Sequence, residues 1–157
     1  MRSIWRIVQR KYAPEAFSGD GSGKYGGRWN HKRTAVVYAS QSESLAQLEV
    51  VVRTNRPKDL AQYVLIEAQV PEELIEILQQ KELPRGWRAM PEPNSTRDVG
   101  TKWVAAGRSA VLAVPSVVVP SEFNYLLNPA HPDFSKIKIG KPKLVDWDPR
   151  LVNLLGR

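Results

Sequence analysis

Residues 34–53 read TAVVYASQSESLAQLEVVVR, a β-prone run followed directly by a helical pattern. The run over residues 34–39 is continuous and bounded by polar segments, which predicts a strand buried on both faces. Ser42 can cap a helix over residues 43–53, because its hydroxyl can accept a hydrogen bond from the first turn. The apolar face of this helix is predicted to carry Leu45, Leu48 and Val52. We expect the strand to lie near the core.

Shorter patterns on either side predict the remaining elements. Apolar runs predict strands at residues 3–8, 62–69, 110–119, 136–139 and 143–145. Capping residues and prolines predict helices at residues 72–79, 94–106 and 150–155. Turn-forming residues predict loops or turn-rich segments at residues 11–24, 83–93 and 124–132. Together these elements predict an α+β fold, one compact domain over residues 1–157 with mixed β-sheets and flanking helices.

The composition limits the class of protein. A chain of 157 residues with 42% apolar and 25% charged residues is typical of one globular domain. The absence of cysteine excludes thiol catalysis, CxxC redox chemistry and cysteine-ligated zinc, and it fits a reducing cytosol. No stretch approaches the ~20 apolar residues of a membrane helix, and the N-terminus lacks the apolar core of a signal peptide. We therefore expect a soluble, cytoplasmic protein with no membrane partner.

The net charge points to an anionic partner. Twenty-three Lys and Arg against sixteen Asp and Glu give a net charge of +7. Such a charge favours a nucleotide, a nucleic acid or an acidic protein, and charge alone does not choose among them. A basic nucleic-acid-binding module therefore stays open as a hypothesis, although the basic residues are spread along the chain with no basic helix.

The segment Gly26-Gly27-Arg28-Trp29-Asn30 is the first candidate site. Adjacent glycines let a backbone approach a ligand closely, and Arg28 held there can fork onto a phosphate or a carbonyl. Trp29 beside it offers a stacking face. The alternative is a tight turn with a surface arginine, and the segment alone does not decide between the two. The glycine spacing is neither that of a Walker loop nor that of a dinucleotide-binding fingerprint.

Glu49 is the second candidate, because on the predicted helix it lies beside the apolar face. Burying an ionised carboxylate without partners is costly, so Glu49 either pairs with a cation or faces a cleft where it does chemistry. The pairing alternative is a surface ion pair with Arg53 at i+4. Tyr38 lies eleven residues earlier in the predicted strand; it could share the cleft, or it could be a core tyrosine with a satisfied hydroxyl.

Ser116 follows Pro115 at a break in the predicted strand over residues 110–119. It is a poor nucleophile candidate because it has no histidine base, and a hydroxyl in this setting is usually satisfied by nearby backbone. The two histidines, His31 and His131, have no metal-ligand spacing, so no metal site is predicted.

Taken in order, these residues resemble the RES family, which is named for an arginine, a glutamate and a serine and comprises toxins of bacterial toxin–antitoxin pairs. The resemblance spans nearly the whole chain. Its segments are Trp5-Arg6, Gly26 to Asn30, Val37 to Ser40, Leu45-Ala46 with Leu48-Glu49, Leu83-Pro84 with Trp87, Gly100 with Trp103, Val114 to Ser116, and Glu122, Asn124, Leu127 to Pro129 and His131-Pro132. The chain departs from the family pattern at Arg53, where we expect histidine in many relatives.

The resemblance implies a fold similar to that of ADP-ribosyltransferases and the breakdown of NAD⁺. The arginine, glutamate and serine of the family correspond to Arg28, Glu49 and Ser116, with Tyr38 and Asn124 as companions. Glu49 would hold a ribose hydroxyl and stabilise the positive charge that grows as the nicotinamide–ribose bond breaks. Arg28 would fix the pyrophosphate or the nicotinamide amide, Tyr38 would stack on the nicotinamide ring, and Ser116 would orient the substrate.

The resemblance leaves the acceptor open and implies a protein partner. The acceptor could be water, inorganic phosphate or a protein side chain, which would make the chain a hydrolase, a phosphorylase or an ADP-ribosyltransferase. No cofactor beyond these substrates is expected. The implied partner is a cognate Xre-type helix-turn-helix antitoxin that covers the active site, so contact with nucleic acid would run through the antitoxin.

Overall fold

The computed structural model describes residues 1–155, so the last two residues of the predicted 1–157 domain lie outside the described part. The strands are β1 (Arg2–Gln9), β2 (Val37–Ser40), β3 (Tyr63–Val70), β4 (Ile75–Ile77), β5 (Val111–Pro115), β6 (Phe123–Leu127), β7 (Lys138–Ile139) and β8 (Lys143–Leu144). The α-helices are α1 (Asp20–Tyr25), α2 (Glu43–Val51), α3 (Asn94–Ala106) and α4 (Pro149–Leu155). Short 3₁₀ helices lie at Arg10–Glu15, Pro57–Gln62, Glu72–Leu74, Gln80–Glu82 and Pro132–Lys136.

The strands form one mixed sheet in the order β4-β5-β6-β2-β1-β3-β7, and β8 also pairs with β3. Only β4 and β5 are parallel in this described sheet; the other pairs are antiparallel. β1 and β2 pair at one position, Trp5 opposite Ser40, whereas β1 pairs with β3 along its full length. The α+β class is confirmed, with one sheet in place of the several that were expected.

Alternation along the strands gives the sheet two faces. On the first face, Val37, Ala39 and Tyr125 join a large apolar cluster that also takes in Ala16 and Phe17. The opposite face, which we call the site face, carries a second cluster. This cluster contains Val36, Leu112, Val114 and Leu126, covered by Trp29 and by Trp103 of α3.

Polar residues continue the site face beyond this second cluster. Ser40 lies opposite Asn124 in the β2–β6 register, and Tyr38 lies opposite Leu126. Because directly opposed residues share a face, Tyr38, Ser40 and Asn124 lie on the same side of the sheet. α2 packs over this region against β1 and β2.

The helix α2 begins as predicted, since Ser42 accepts a hydrogen bond from the backbone of Leu45 at 3.1 Å. The predicted apolar face was wrong in part: Leu48 is 37% exposed and Val52 is 60% exposed. Leu45, Ala46 and Val50 are buried instead. The helix is therefore rotated so that Glu49, one turn after the buried Leu45 and Ala46, lies towards the sheet.

Three predicted segments differ in the structure. Residues 11–24 were expected to form an exposed loop, but they include most of a 3₁₀ helix and of α1, with Ala16 and Phe17 buried between them. Residues 72–79 were expected to be helical, but they contain β4, because the segment pairs with β5. Residues 124–132 were expected to be turn-rich, but β6 occupies their first half, held by ladders to β5 and β2.

The other elements lie close to their predicted positions. The loop over residues 83–93 is ordered as expected, with Trp87 packed against the second apolar cluster. The strand predicted at residues 110–119 ends at Pro115, so Ser116 marks its end. α3 spans the predicted residues, although neither Asn94 nor Ser95 caps it; Pro93 is at the N-cap position. None of the helices in residues 1–155 is both long and apolar enough to cross a membrane.

Candidate functional site

The carboxylate of Glu49 is held by two neutral donors. Its Oε1 accepts a hydrogen bond from Ser116 Oγ at 2.9 Å and another from Asn124 Nδ2 at 2.8 Å. These donors come from the end of β5 and from β6, so three separate elements converge on one oxygen. Within residues 1–155, Glu49 forms no salt bridge and its Oε2 accepts no hydrogen bond.

The ion pair between Glu49 and Arg53 is absent from the described structure. Arg53 donates from Nε to the backbone carbonyl of Glu49 at 2.8 Å, so it binds the last turn of the helix rather than the carboxylate. Cations favour this position because the carbonyls at a helix C-terminus carry partial negative charge. The predicted alternative of an ion pair with Arg53 is therefore wrong, and the carboxylate instead lies on the site face.

Ser116 is a buried support for Glu49. It is fully buried, and its Oγ accepts hydrogen bonds from the backbone N–H groups of Val118 and Val119, each at 3.0 Å. These two bonds occupy the acceptor side of the hydroxyl and direct its single hydrogen to Glu49. In the structure the hydroxyl orients the glutamate, and the expected role of Ser116 in orienting a substrate stays a prediction.

Ser40 is a site residue that the sequence did not single out. Its Oγ donates to Asn124 Oδ1 at 3.0 Å, and it is 4% exposed. Because the amide oxygen of Asn124 is engaged by this bond, the amide nitrogen faces Glu49 and donates to it. The signal available in the sequence was its position two residues after Tyr38, which places both side chains on one face of a strand. We call Glu49, Ser116, Asn124 and Ser40 the carboxylate network.

Tyr38 connects the carboxylate network to the Gly26–Asn30 segment. Its hydroxyl accepts a hydrogen bond from the backbone N–H of Trp29 at 3.1 Å and donates to Asn30 Oδ1. Burial raises the pKa of this phenol well above its usual range, and the bond from Trp29 offsets the rise only in part. Tyr38 is therefore a neutral residue whose hydroxyl supports the backbone of the neighbouring turn.

We call residues 26–30 the glycine turn, and its backbone is fixed by close packing. A Cβ at Gly27 would lie 2.6 Å from the Tyr38 hydroxyl and 2.7 Å from Asn30 Oδ1, so only glycine fits there without displacement. Asn30 is fully buried, and its amide nitrogen donates to the carbonyls of Ser22, His31 and Thr34. The tight-turn interpretation is therefore correct for the backbone.

Arg28 extends from the glycine turn to the loop over residues 83–93. Its Nη1 donates to the carbonyls of Trp87 at 3.1 Å and Ala89 at 3.0 Å, and its Nη2 contacts the sulfur of Met90. In the same loop, Arg88 donates from Nη2 to the carbonyl of Val117 at 2.9 Å. The loop thus bridges the glycine turn and the segment that follows Ser116.

Trp29 does not offer the stacking face that was expected. It is 2% exposed, and its ring packs against Trp87 with 6.0 Å between centroids. A Cβ at Gly100 would lie only 2.1 Å from the carbonyl oxygen of Trp29, so α3 packs directly against the turn at this glycine. Trp29 therefore anchors the glycine turn in the core.

Neither histidine interacts with the carboxylate network in the described structure. His31 Nε2 is 2.7 Å from Asp98 Oδ1, and His131 accepts a hydrogen bond from the backbone of Asp133 at 3.0 Å. Among residues 1–155, no three His, Asp or Glu side chains are grouped as metal ligands would be. No histidine is hydrogen-bonded to the carboxylate network in this part of the chain, so Ser116 has no general base of that kind.

The sequence and fold match known proteins over most of the chain. The RES domain family matches residues 3–148. A protein named Toxin Res from Yersinia enterocolitica is 40% identical over 149 residues, which are 94% of this chain and 98% of that protein. The Prs ADP-ribosylating toxin of a Sphingobium species is 41% identical over 155 residues, 96% of each chain.

One solved structure shares the fold. The crystal structure of the M. tuberculosis MbcT–MbcA toxin–antitoxin complex contains a chain that matches with a TM-score of 0.75. The match covers 98% of this chain and 88% of that one at 18% identity, so it bears on the fold alone.

Proposed function

The chain belongs to the RES domain family of toxins, and from this premise we propose that it cleaves the bond between nicotinamide and ribose in NAD⁺. The observation that carries the proposal is the Glu49 carboxylate, which two neutral side chains hold by one oxygen. No cation pairs with it among residues 1–155, so its full negative charge is available to a cationic transition state.

The chemistry fits a fixed and unpaired carboxylate. Breaking the nicotinamide–ribose bond sends the bonding electrons to nicotinamide, which leaves neutral, and positive charge grows on the ribose carbon and ring oxygen. An anion beside the ribose stabilises that state more than the ground state and therefore accelerates the step. Glu49 Oε2 has no partner among the described residues, so it is the atom we assign to a ribose hydroxyl.

The remaining residues take positioning roles in this proposal. Ser116, Asn124 and Ser40 keep the carboxylate in one orientation before substrate arrives. Arg28 exchanges the loop carbonyls of Trp87 and Ala89 for the pyrophosphate or the nicotinamide amide, to which a guanidinium can donate two parallel hydrogen bonds. Tyr38 presents its ring to nicotinamide while its hydroxyl stays on the glycine turn.

The acceptor decides the overall reaction. Attack by water gives ADP-ribose and a proton, and attack by inorganic phosphate gives ADP-ribose 1″-phosphate. Purified protein should release nicotinamide from NAD⁺, measured by chromatography in buffers with and without phosphate at equal ionic strength. Release only with phosphate identifies a phosphorylase, and release in both buffers identifies a hydrolase. No release of nicotinamide in either buffer would contradict the proposal.

A second candidate function is transfer of ADP-ribose to a protein. It is favoured by the similarity to the Sphingobium relative, which is named an ADP-ribosylating toxin, and it would use the same residues. NAD⁺ labelled in its adenine moiety separates the two functions. Label retained on a protein after denaturing electrophoresis supports transfer, whereas label recovered only in small products supports cleavage.

We further propose an antitoxin partner of the Xre helix-turn-helix type. The solved complex of similar fold pairs a toxin with an antitoxin, and a net charge of +7 suits an acidic segment that enters the site. Co-expression with the product of the neighbouring gene should give a complex that releases no nicotinamide from NAD⁺. A complex as active as the free protein would contradict occlusion of the site.

A further inference from the structure

A second candidate site lies at the C-terminal end of α2, and Glu49 is not among the residues that line it. A cleft of about 330 Å³ opens there, with a volume at the lower end of typical ligand pockets. Its polar and aromatic lining residues are Arg6, Gln9, Tyr12, Arg53, Thr54 and Tyr63. None of the residues that line this cleft is acidic.

Arg6 lines this cleft. Strands β1 and β2 pair only at Trp5 and Ser40, so beyond that pair there is space between them for the Arg6 side chain. Its Nη1 donates to the carbonyl of Tyr38 at 2.7 Å, and its Nε donates to the carbonyl of Ala16 at 2.7 Å. The side chain thus replaces backbone pairing, while its remaining nitrogen, Nη2, has no partner among the described residues. Burial lowers the pKa of Arg6 to about 10, and the charge of Arg53 is the next cause.

Arg53 is the second cation of the cleft. Its Nε is bound to the carbonyl of Glu49, which leaves both terminal nitrogens without a protein partner in residues 1–155. Lys11 does not line the cleft, but its ammonium group lies 5.0 Å from the ring centre of Tyr12, which does, and so adds a third positive charge nearby. No carboxylate within the described chain forms a salt bridge with any of these three cations.

A partly buried guanidinium beside a second guanidinium is favoured by an anion, because both desolvation and mutual repulsion oppose the two positive charges. The protein supplies none here. We propose that the cleft binds a phosphate group, either as inorganic phosphate or as part of a nucleotide. Arginine suits this ligand because its planar donors match the oxygens of phosphate. Tyr12 and Tyr63 also line the cleft, so a nucleotide base bound there would have aromatic side chains to pack against.

This site is separate from the proposed NAD⁺ chemistry. The carboxylate of Glu49 is directed to Ser116 and Asn124. The side chain of Arg53 is hydrogen-bonded to the backbone carbonyl of Glu49 and not to its carboxylate. The proposal therefore does not depend on the reaction that Glu49 carries out, and binding can be measured without NAD⁺.

Calorimetry with inorganic phosphate, at ionic strength held constant with sodium chloride, tests the proposal. The full chain should bind phosphate saturably, and Arg53→Gln should weaken the affinity about tenfold, the scale of one charge-assisted contact. Arg56→Gln is the matched control: Arg56 lies three residues further on, pairs with Asp59 at 3.3 Å and does not line the cleft. It should bind like the parent chain. AMP in a parallel titration distinguishes the two sources, because tighter binding than inorganic phosphate indicates a nucleotide.

A second variant keeps the test clear of folding defects. Arg6→Lys retains the positive charge but loses the fork that holds two carbonyls, and it should also bind phosphate more weakly while melting as one transition. Equal affinity in the parent chain and Arg53→Gln, or no saturable binding at millimolar phosphate, would overturn the proposal. Binding lost in Arg28→Gln but kept in Arg53→Gln would do the same, since it would assign the ion to the Glu49 side.

Discussion

The carboxylate network and the glycine turn are both fixed by polar side chains, but the two regions fix different things. In the carboxylate network, Ser116 and Asn124 donate directly to the functional group of Glu49. In the glycine turn, Tyr38 and Asn30 hold only the backbone, and the guanidinium of Arg28 is bound to carbonyls of a separate loop. The Glu49 carboxylate is therefore preorganised, whereas the role proposed for Arg28 requires it to exchange its present partners.

The largest expected effect is on the rate of nicotinamide release when the charge of Glu49 is removed from the carboxylate network. Glu49→Gln keeps the shape of the side chain and an acceptor for Ser116 and Asn124, but it removes the charge. We expect the rate of nicotinamide release to fall by about a hundredfold to a thousandfold, the scale of losing one electrostatic stabiliser. Steady-state kinetics with NAD⁺ measures the change, and thermal unfolding checks that the fold is kept.

Glu43→Gln provides the control for this substitution. Glu43 is in the first turn of the same helix and interacts with Gln47, away from the carboxylate network. Its substitution should leave the rate within about twofold of the parent chain. A Glu49→Gln protein with the parent rate would show that the unpaired carboxylate is not the catalytic group.

The next largest effect is on the free energy of unfolding when the packing of the glycine turn is disturbed. Gly27→Ala would place a Cβ 2.6 Å from the Tyr38 hydroxyl, so the turn must shift, at a cost of about 1–3 kcal/mol in the free energy of unfolding. Gly21→Ala is the control, because a Cβ there meets no atom within 4 Å. Urea unfolding of both variants measures the difference. Equal stability would show that the turn is not closely packed around residue 27.

These contrasts also explain what the sequence could predict. The cap at Ser42 and the inward position of Glu49 depend on residues within one helix, so local patterns sufficed for both. β4 and β6 were missed because they are stabilised by ladders to strands distant in sequence. The burial of Trp29 depends on its packing against Trp87, more than fifty residues away, and nothing near residue 29 encodes it.

The role of Ser40 was missed for a related reason, and it gives a smaller predicted effect. Ser40→Ala removes the bond that orients the Asn124 amide, so the donor to Glu49 is less fixed. We expect kcat for nicotinamide release to fall about tenfold with little change in KM, because the loss affects orientation rather than binding. Ser40→Thr keeps a hydroxyl and should recover most of the rate.

Ser44→Ala is the control for Ser40→Ala, since Ser44 is exposed and, among the described residues, its hydroxyl forms a hydrogen bond only with that of Ser42. It should behave as the parent chain. A fall in Ser40→Ala that appears entirely in KM, or one that Ser40→Thr does not recover, would mean that Ser40 acts through the general packing of the strand.

The smallest expected effect is a coupling energy between Glu49 and Arg53 that is close to zero. Glu49 and Arg53 have the i, i+4 spacing that gives a surface ion pair of about 0.3–0.5 kcal/mol, yet Arg53 binds the backbone carbonyl of Glu49 instead. A double-mutant cycle on Glu49→Gln and Arg53→Gln, measured by urea unfolding at low salt, should therefore give a coupling energy close to zero. A coupling of the size of a helical ion pair would mean that Arg53 neutralises Glu49 in solution. In that case the carboxylate would not be free to stabilise a cationic sugar, so even this small energy bears on the proposed reaction.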